Sequence, residues 1–156
     1  MLQDMIQSVA MGSRSSASKT VVLPALRMAA IDIGSNSIHM VVAEADTDGA
    51  IVPLWRMKEM IGLGGASFPG RKIPTQTIDL TVATLARFQR AALERRCEKI
   101  VAVATSAVRE ATNGGDLLAK VERQLGITIR VINGREEARL IYLGVRHSLP
   151  LRGGPG

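Results

Sequence analysis

Ala30-Ile31-Asp32-Ile33-Gly34-Ser35-Asn36-Ser37-Ile38-His39-Met40 is the stretch on which the reading of this chain turns. Apolar residues from Met28 lead to a carboxylate, Gly34-Ser35-Asn36-Ser37 makes a tight polar turn, and Ile38 to Glu44 resumes as a second strand. A glycine at the turn lets the backbone pass closely enough for Gly34, Ser35, Asn36 and Ser37 to present amides and hydroxyls to a phosphate. Asp32, ending a buried strand, could hold magnesium or manganese directly or through water, because such an ion needs only one or two carboxylates when phosphates supply other ligands. Alone, the stretch reads equally well as an ordinary hairpin, since glycine, serine and asparagine are common turn formers.

Outward from this hairpin, Asp46-Thr47-Asp48-Gly49 turns the chain into a third antiparallel strand over Ala50 to Met60. Glycines and prolines from Gly62 to Pro74 mark a loop. Thr75 is placed to cap a long helix running to about Arg96, with Ile78, Val82, Leu85, Phe88 and Leu93 near helical spacing. Then come a strand from Lys99 to Ala104, a short helix from Ser106 to Glu110, and a helix from Asp116 to Leu125 stopped by Gly126. A strand from Ile127 to Ile132, a turn at Asn133-Gly134 and a helix from Arg135 to about His147 complete the series. The order βββαβαβα predicts an α/β fold, a mixed five-stranded sheet with helices. It is the pattern of a ribonuclease-H-like lobe, the unit that the actin-like ATPase superfamily uses twice.

The chain has 156 residues, which bounds it to one domain with a tail. Hydrophobic residues at 46% and charged residues at 22% exclude wholesale disorder. Residues 1–27, rich in serine with Arg14, Lys19 and Arg27, read as a disordered N-terminal extension, and Met28 could serve as a start. Residues 28–149 form the lobe, and the Pro- and Gly-containing 150–156 reads as the start of a linker. Cys97, the single cysteine, excludes an intrachain disulfide and reads as a packing residue on a helix in a reducing, cytoplasmic setting. Apolar runs such as Ile38 to Ala43 fall far short of the ~20 residues of a membrane helix. The net charge of +6 favours a polyanionic partner without saying which. Arg87, Arg90, Arg95, Arg96 and Lys99, interrupted by Glu94 and Glu98, read as a solvated helix face.

Two further stretches carry chemistry. Ala104-Thr105-Ser106-Ala107-Val108-Arg109-Glu110-Ala111 follows a strand and opens a helix, so Thr105 and Ser106 stand where free amides favour an anion, and Arg109 could clamp phosphate oxygens. A plain Ser/Thr cap with a solvated arginine is the simpler alternative. Gly134-Arg135-Glu136-Glu137-Ala138-Arg139 opens an amphipathic helix with two acids in its first turn, which on their own merely complement the helix dipole.

Taken together and in this order, the three stretches strongly resemble the exopolyphosphatase/guanosine pentaphosphate phosphatase family over about residues 28–149. The resemblance implies an actin-like fold in which the Asp32 stretch is the first phosphate loop and Glu137 is the catalytic base. It implies further that Arg109 binds the phosphate chain and that Asp32 helps to hold the metal. The reaction implied is hydrolysis of a terminal phosphoanhydride of polyphosphate or guanosine pentaphosphate, in a protein that dimerises through later domains and has neither membrane nor specific nucleic-acid partners. Between Glu136 and Glu137 the residues themselves do not choose.

Family members continue into a second glycine-rich loop of the Asp-x-Gly-Gly-Gly-Ser kind, which this sequence lacks, so a one-sided cleft with weak turnover is expected of the chain alone. Arg152-Gly153-Gly154-Pro155-Gly156 has no acid and no preceding strand and does not replace that loop. An actin-like sugar or acetate kinase is the alternative enzyme, but the Glu137 stretch resembles the phosphatases. A non-catalytic lobe that binds a polyanion or a partner is the alternative without chemistry. A two-metal nuclease needs several converging acids, and Asp32 has no strand-borne partner. His39 and His147 read as residues without a catalytic role.

Overall fold

A computed structural model describes residues 1–2, 4–7, 25–65 and 69–148. The expected linker at 150–156, and the expected extension over 8–24, lie outside the described residues. Strands β1 (Leu26–Ile33), β2 (Ser37–Ala45) and β3 (Ile51–Met60) form an antiparallel meander. They are followed by helix α1 (Thr75–Glu94), strand β4 (Lys99–Ala104), helices α2 (Ser106–Glu110) and α3 (Gly114–Leu125), strand β5 (Ile129–Val131) and helix α4 (Gly134–Ser148). The sheet order is β3-β2-β1-β4-β5, with β4 parallel to both β1 and β5. This is the mixed five-stranded sheet of an actin-like, ribonuclease-H-like lobe.

β1 lies at the centre of the sheet, and its apolar run Met28-Ala29-Ala30-Ile31 suits a strand covered on both faces. Ala29, Ile31 and Ile33 pack with Met40 and Val42 of β2 against Leu85 and Phe88 of α1 and Leu117 and Val121 of α3. The alternate residues Met28 and Ala30 face the opposite side with Val41, Ala43, Val103 and Ile132, and Leu140 of α4 packs there. Period-two alternation therefore carries Asp32 onto this second face.

Several boundaries depart from expectation. β1 begins at Leu26 rather than Met28, and Arg27 belongs to the fold. Its guanidinium donates to Glu44 Oε2 from Nη2 at 2.8 Å and to the Arg95 carbonyl from Nη1 at 2.9 Å. Residues 4–7 are helical, and Met5 and Ile6 are buried on the second face, so residues 1–27 are not uniformly an unstructured tail. Apolar Met5-Ile6 gains a surface there that the strand pattern alone did not reveal. Thr75 is the first helical residue rather than a cap; Pro74, with its preset φ, precedes the helix and accepts the amides of Thr77 and Ile78. Leu93 is exposed, and Cys97 lies beyond the helix, buried in the turn leading to β4.

That turn is a Schellman closure. Arg96 donates to Leu93 O at 2.9 Å and Cys97 to Ala92 O at 3.0 Å, while Arg96 itself takes φ 58°. A left-handed arginine is strained where glycine is not. Arg96→Gly is accordingly expected to raise stability by about 0.5–1 kcal/mol, read as a higher urea midpoint; a lowered midpoint would contradict it. Gly126 closes α3 in the left-handed conformation, as its sequence position suggested.

α3 starts at Gly114, two residues earlier than expected, because Asn113 is engaged with the preceding loop. Its side chain accepts the Ile73 amide at 2.8 Å and donates to the Ile73 carbonyl at 2.9 Å. A Cβ on Gly114 would stand 2.2 Å from the Val108 carbonyl oxygen. Gly114→Ala should therefore destabilise the lobe by about 2 kcal/mol or more, in the range of overpacking damage, despite alanine's better helix propensity. An unchanged denaturation midpoint would show that α2 and α3 can part at no cost.

Candidate active site

The turn between β1 and β2 is held from two directions. Gly34 N donates to Ser37 O at 3.0 Å within the turn, and the segment after β3 closes over it. Ile61 and Gly62 donate to Asn36 O, both at 2.9 Å, and Gly64 donates to Ser35 O at 2.7 Å. A Cβ on Gly64 would lie 2.6 Å from Ser35 Cβ, so only glycine allows this approach. Sequence reasoning treated residues 61–65 as a plain loop; its run of glycines was the available signal.

From the other side, β4 delivers Thr105 and Ser106 to the same turn. Ser106 Oγ lies 3.1 Å from Ser35 Oγ, which joins the two polar turns. Thr105 is buried, and both its amide (3.2 Å) and its hydroxyl (3.5 Å) are aimed at the Ile33 carbonyl. The Thr105 side chain thus braces the end of β4 against β1. α2 has five residues and no side-chain cap, so its dipole is that of little more than one turn.

Asp32 stands on the second face beside this turn, paired in register with His39 on β2 and Val103 on β4. Its Oδ1 is buried and has no hydrogen-bond partner among the described residues. Burial, reinforced by the Glu137 carboxylate and tempered by the terminal amino group, raises its pKa from 3.8 to about 6. A carboxyl group in this state suits either a shared proton or a cation.

The pair of acids opening α4 separates cleanly. Asn133 caps the helix, its Oδ1 accepting the Glu136 amide at 2.9 Å while Glu136 Oε2 accepts the Asn133 amide at 3.3 Å. This is a reciprocal capping box, and Arg130 lies 3.6 Å from the other Glu136 oxygen. Asn133 was expected to form a turn; the Asn-x-x-Glu spacing was the overlooked signal. Glu137, one position on, is free of these contacts, and its negative charge helps to raise the pKa of Asp32. Arg109 reaches the same junction from α2. Its Nη1 donates to the Ile132 carbonyl at 2.7 Å and Nη2 lies 3.9 Å from Glu110, leaving the guanidinium only partly committed.

Ser37, unlike Thr105, keeps its hydroxyl on the second face, 2.8 Å from His39 Nε2. His39 therefore does more than pack. Among the described residues no group of three His, Cys, Asp or Glu side chains gathers as a metal-ligand set. Asp32 and Glu137 are coupled here through charge. No helix among the described residues is long and apolar enough to cross a membrane.

Residues 40–156 match the Ppx/GppA phosphatase family. Exopolyphosphatase 1 of Mycobacterium leprae is 35% identical over 121 residues, covering 78% of this chain and 36% of that protein. Exopolyphosphatase 1 of Mycobacterium tuberculosis strain H37Rv is 33% identical over 121 residues, 78% of this chain and 35% of that protein. The crystal structure of the Aquifex aeolicus member of the Ppx/GppA family superposes with a TM-score of 0.74 at 32% identity, covering 81% of this chain and 41% of the other. An exopolyphosphatase from Cytophaga hutchinsonii gives a TM-score of 0.75 at 29% identity, with 81% and 40% covered. The chain thus spans little more than a third of the length of the curated relatives it matches. Matched over residues 40–156 and sharing 35% identity with such a relative across 78% of its length, the chain belongs to the Ppx/GppA phosphatase family.

Proposed function

We propose that this lobe forms one wall of a cleft that removes the terminal phosphate from polyphosphate or guanosine pentaphosphate. The observation that carries the reading is the buried, unsatisfied Asp32, whose carboxyl feels the charge of Glu137 while the neighbouring Glu136 is diverted into a helix cap. Glu137 orients or deprotonates a water for in-line attack on the terminal phosphorus, and the P–O bond to the next phosphate breaks as the new one forms. The uncommitted N–H groups of Arg109, with the hydroxyls of Ser35, Ser37 and Ser106 and the Gly34–Asn36 turn, hold the phosphate and offset its charge.

Asp32 fits a magnesium or manganese ion, since its buried Oδ1 lacks a donor and phosphate oxygens complete such a shell. When bound, the ion would neutralise charge on the phosphates. On the same reading the full-length protein is a homodimer whose contacts lie beyond this lobe. The family match favours this reading over a kinase or a purely binding lobe.

The test is orthophosphate release by the full-length protein, with magnesium, from long-chain polyphosphate and separately from guanosine pentaphosphate. Release from either supports the reading and names the substrate. Release from neither overturns it.

A further inference from the structure

The register of the sheet lays a polar row across the second face at the level of Asp32. Lys58 on β3 pairs with His39 on β2, which pairs with Asp32 on β1. One rung further on the same face, Arg56 pairs with Val41. Directly opposite residues share a face, so these cations stand on the side of Asp32. Glu59, between Lys58 and the strand end, points the other way to Arg87 at 3.3 Å. Among the described residues neither Arg56 nor Lys58 has a carboxylate partner, and both are exposed.

Charges on an edge strand also discourage pairing with other sheets, and that is the simpler account of Arg56 and Lys58. Pro53 already withholds an N–H from the same strand, and edge protection does not require the cation to share a rung with the site. The His39 ring between them carries no negative charge in either protonation state, so none interrupts the path from Asp32 to Lys58. Adjacent strands are about 4.8 Å apart, which puts Lys58 roughly 10 Å from Asp32 along the sheet. A single orthophosphate at Asp32 does not span that gap; a chain of phosphates does.

We infer that Lys58, with Arg56 behind it, forms a second subsite that holds an inner phosphate of a linear polyanion whose terminal phosphate lies at Asp32 and Glu137. The inference rests on the hydrolase reading above and adds the direction in which the substrate runs, across β2 toward the β3 edge.

The test is steady-state kinetics on the full-length protein with long-chain polyphosphate, with orthophosphate as product inhibitor. Lys58→Gln is expected to raise KM about tenfold, the worth of one charge-assisted hydrogen bond, with kcat kept within about twofold. Inhibition by orthophosphate, which occupies only the terminal position, stays unchanged, and Lys58→Arg restores KM. A wild-type protein that releases phosphate while KM ignores Lys58→Gln overturns the subsite and leaves the hydrolase standing. So does a variant whose orthophosphate inhibition weakens in parallel. A wild-type protein that releases no phosphate removes both.

Discussion

Glu137→Gln is expected to lower phosphate release from polyphosphate by about 10³-fold, whereas Glu136→Gln should leave it within about threefold and shift folding stability by no more than about 0.5 kcal/mol, since glutamine also closes a capping box and the Arg130 pair is exposed. Neighbouring helix positions point about 100° apart, so two adjacent acids cannot serve one site equally. Glu136 is turned back onto the Asn133 amide and toward Arg130, and its amide is the one that Asn133 caps. Glu137 has no part in that cap, and its charge raises the pKa of Asp32. The substitution by glutamine keeps shape and hydrogen-bonding capacity while removing the ability to take a proton, so a fall in kcat with intact folding isolates the chemistry. Rates measured beside urea denaturation separate the two effects. Loss of rate in Glu136→Gln with full activity in Glu137→Gln would reverse the assignment.

Asp32→Asn should abolish activity and yet stabilise the lobe at pH 7 by roughly 1–2 kcal/mol, after allowing for a carboxyl that keeps part of its surface in solvent. The unfolded chain ionises this group near 3.8 and the folded chain near 6. At neutral pH the group is ionised in both states, and folding carries the charge to a place that disfavours it. As pH falls through about 6 the folded state takes up the proton first, and stability rises until the unfolded state also protonates near 3.8. The asparagine variant lacks this rise. Urea midpoints at pH 7 and pH 5 test the sign, and a variant less stable than wild type at pH 7 would contradict it. A stabilising change that destroys function is what a strained site leads one to expect.

The sheet was legible because its signals are local and periodic. The apolar run of β1, the Asp48-Gly49 turn and the helical spacing of Ile78, Val82, Leu85 and Phe88 each name an element directly. Boundaries shifted where long-range contacts decided them, as at Arg27, held by Glu44 and Arg95, and at Asn113, drawn to Ile73. Cys97 was placed on a helix because nothing in sequence marks a left-handed arginine before it. The site residues were legible as types and not as partners. Ser35 and Ser106 are 71 positions apart, and Thr105 braces Ile33 across two strands. What sets Glu136 apart from Glu137 is a capping box whose spacing is present in the sequence, whereas the effect of the Glu137 charge on Asp32 needs the fold.

That electrostatic coupling is the centre of the account, and a carboxyl titration followed by ¹³C NMR measures it in the chain as it stands. Asp32 should titrate near pH 6, and in Glu137→Gln its pKa should move down while staying above the ordinary aspartate range, because burial remains. A wild-type Asp32 titrating near 4, or one that Glu137→Gln leaves unmoved, would mean that β1 and α4 do not bring two carboxylates to one point.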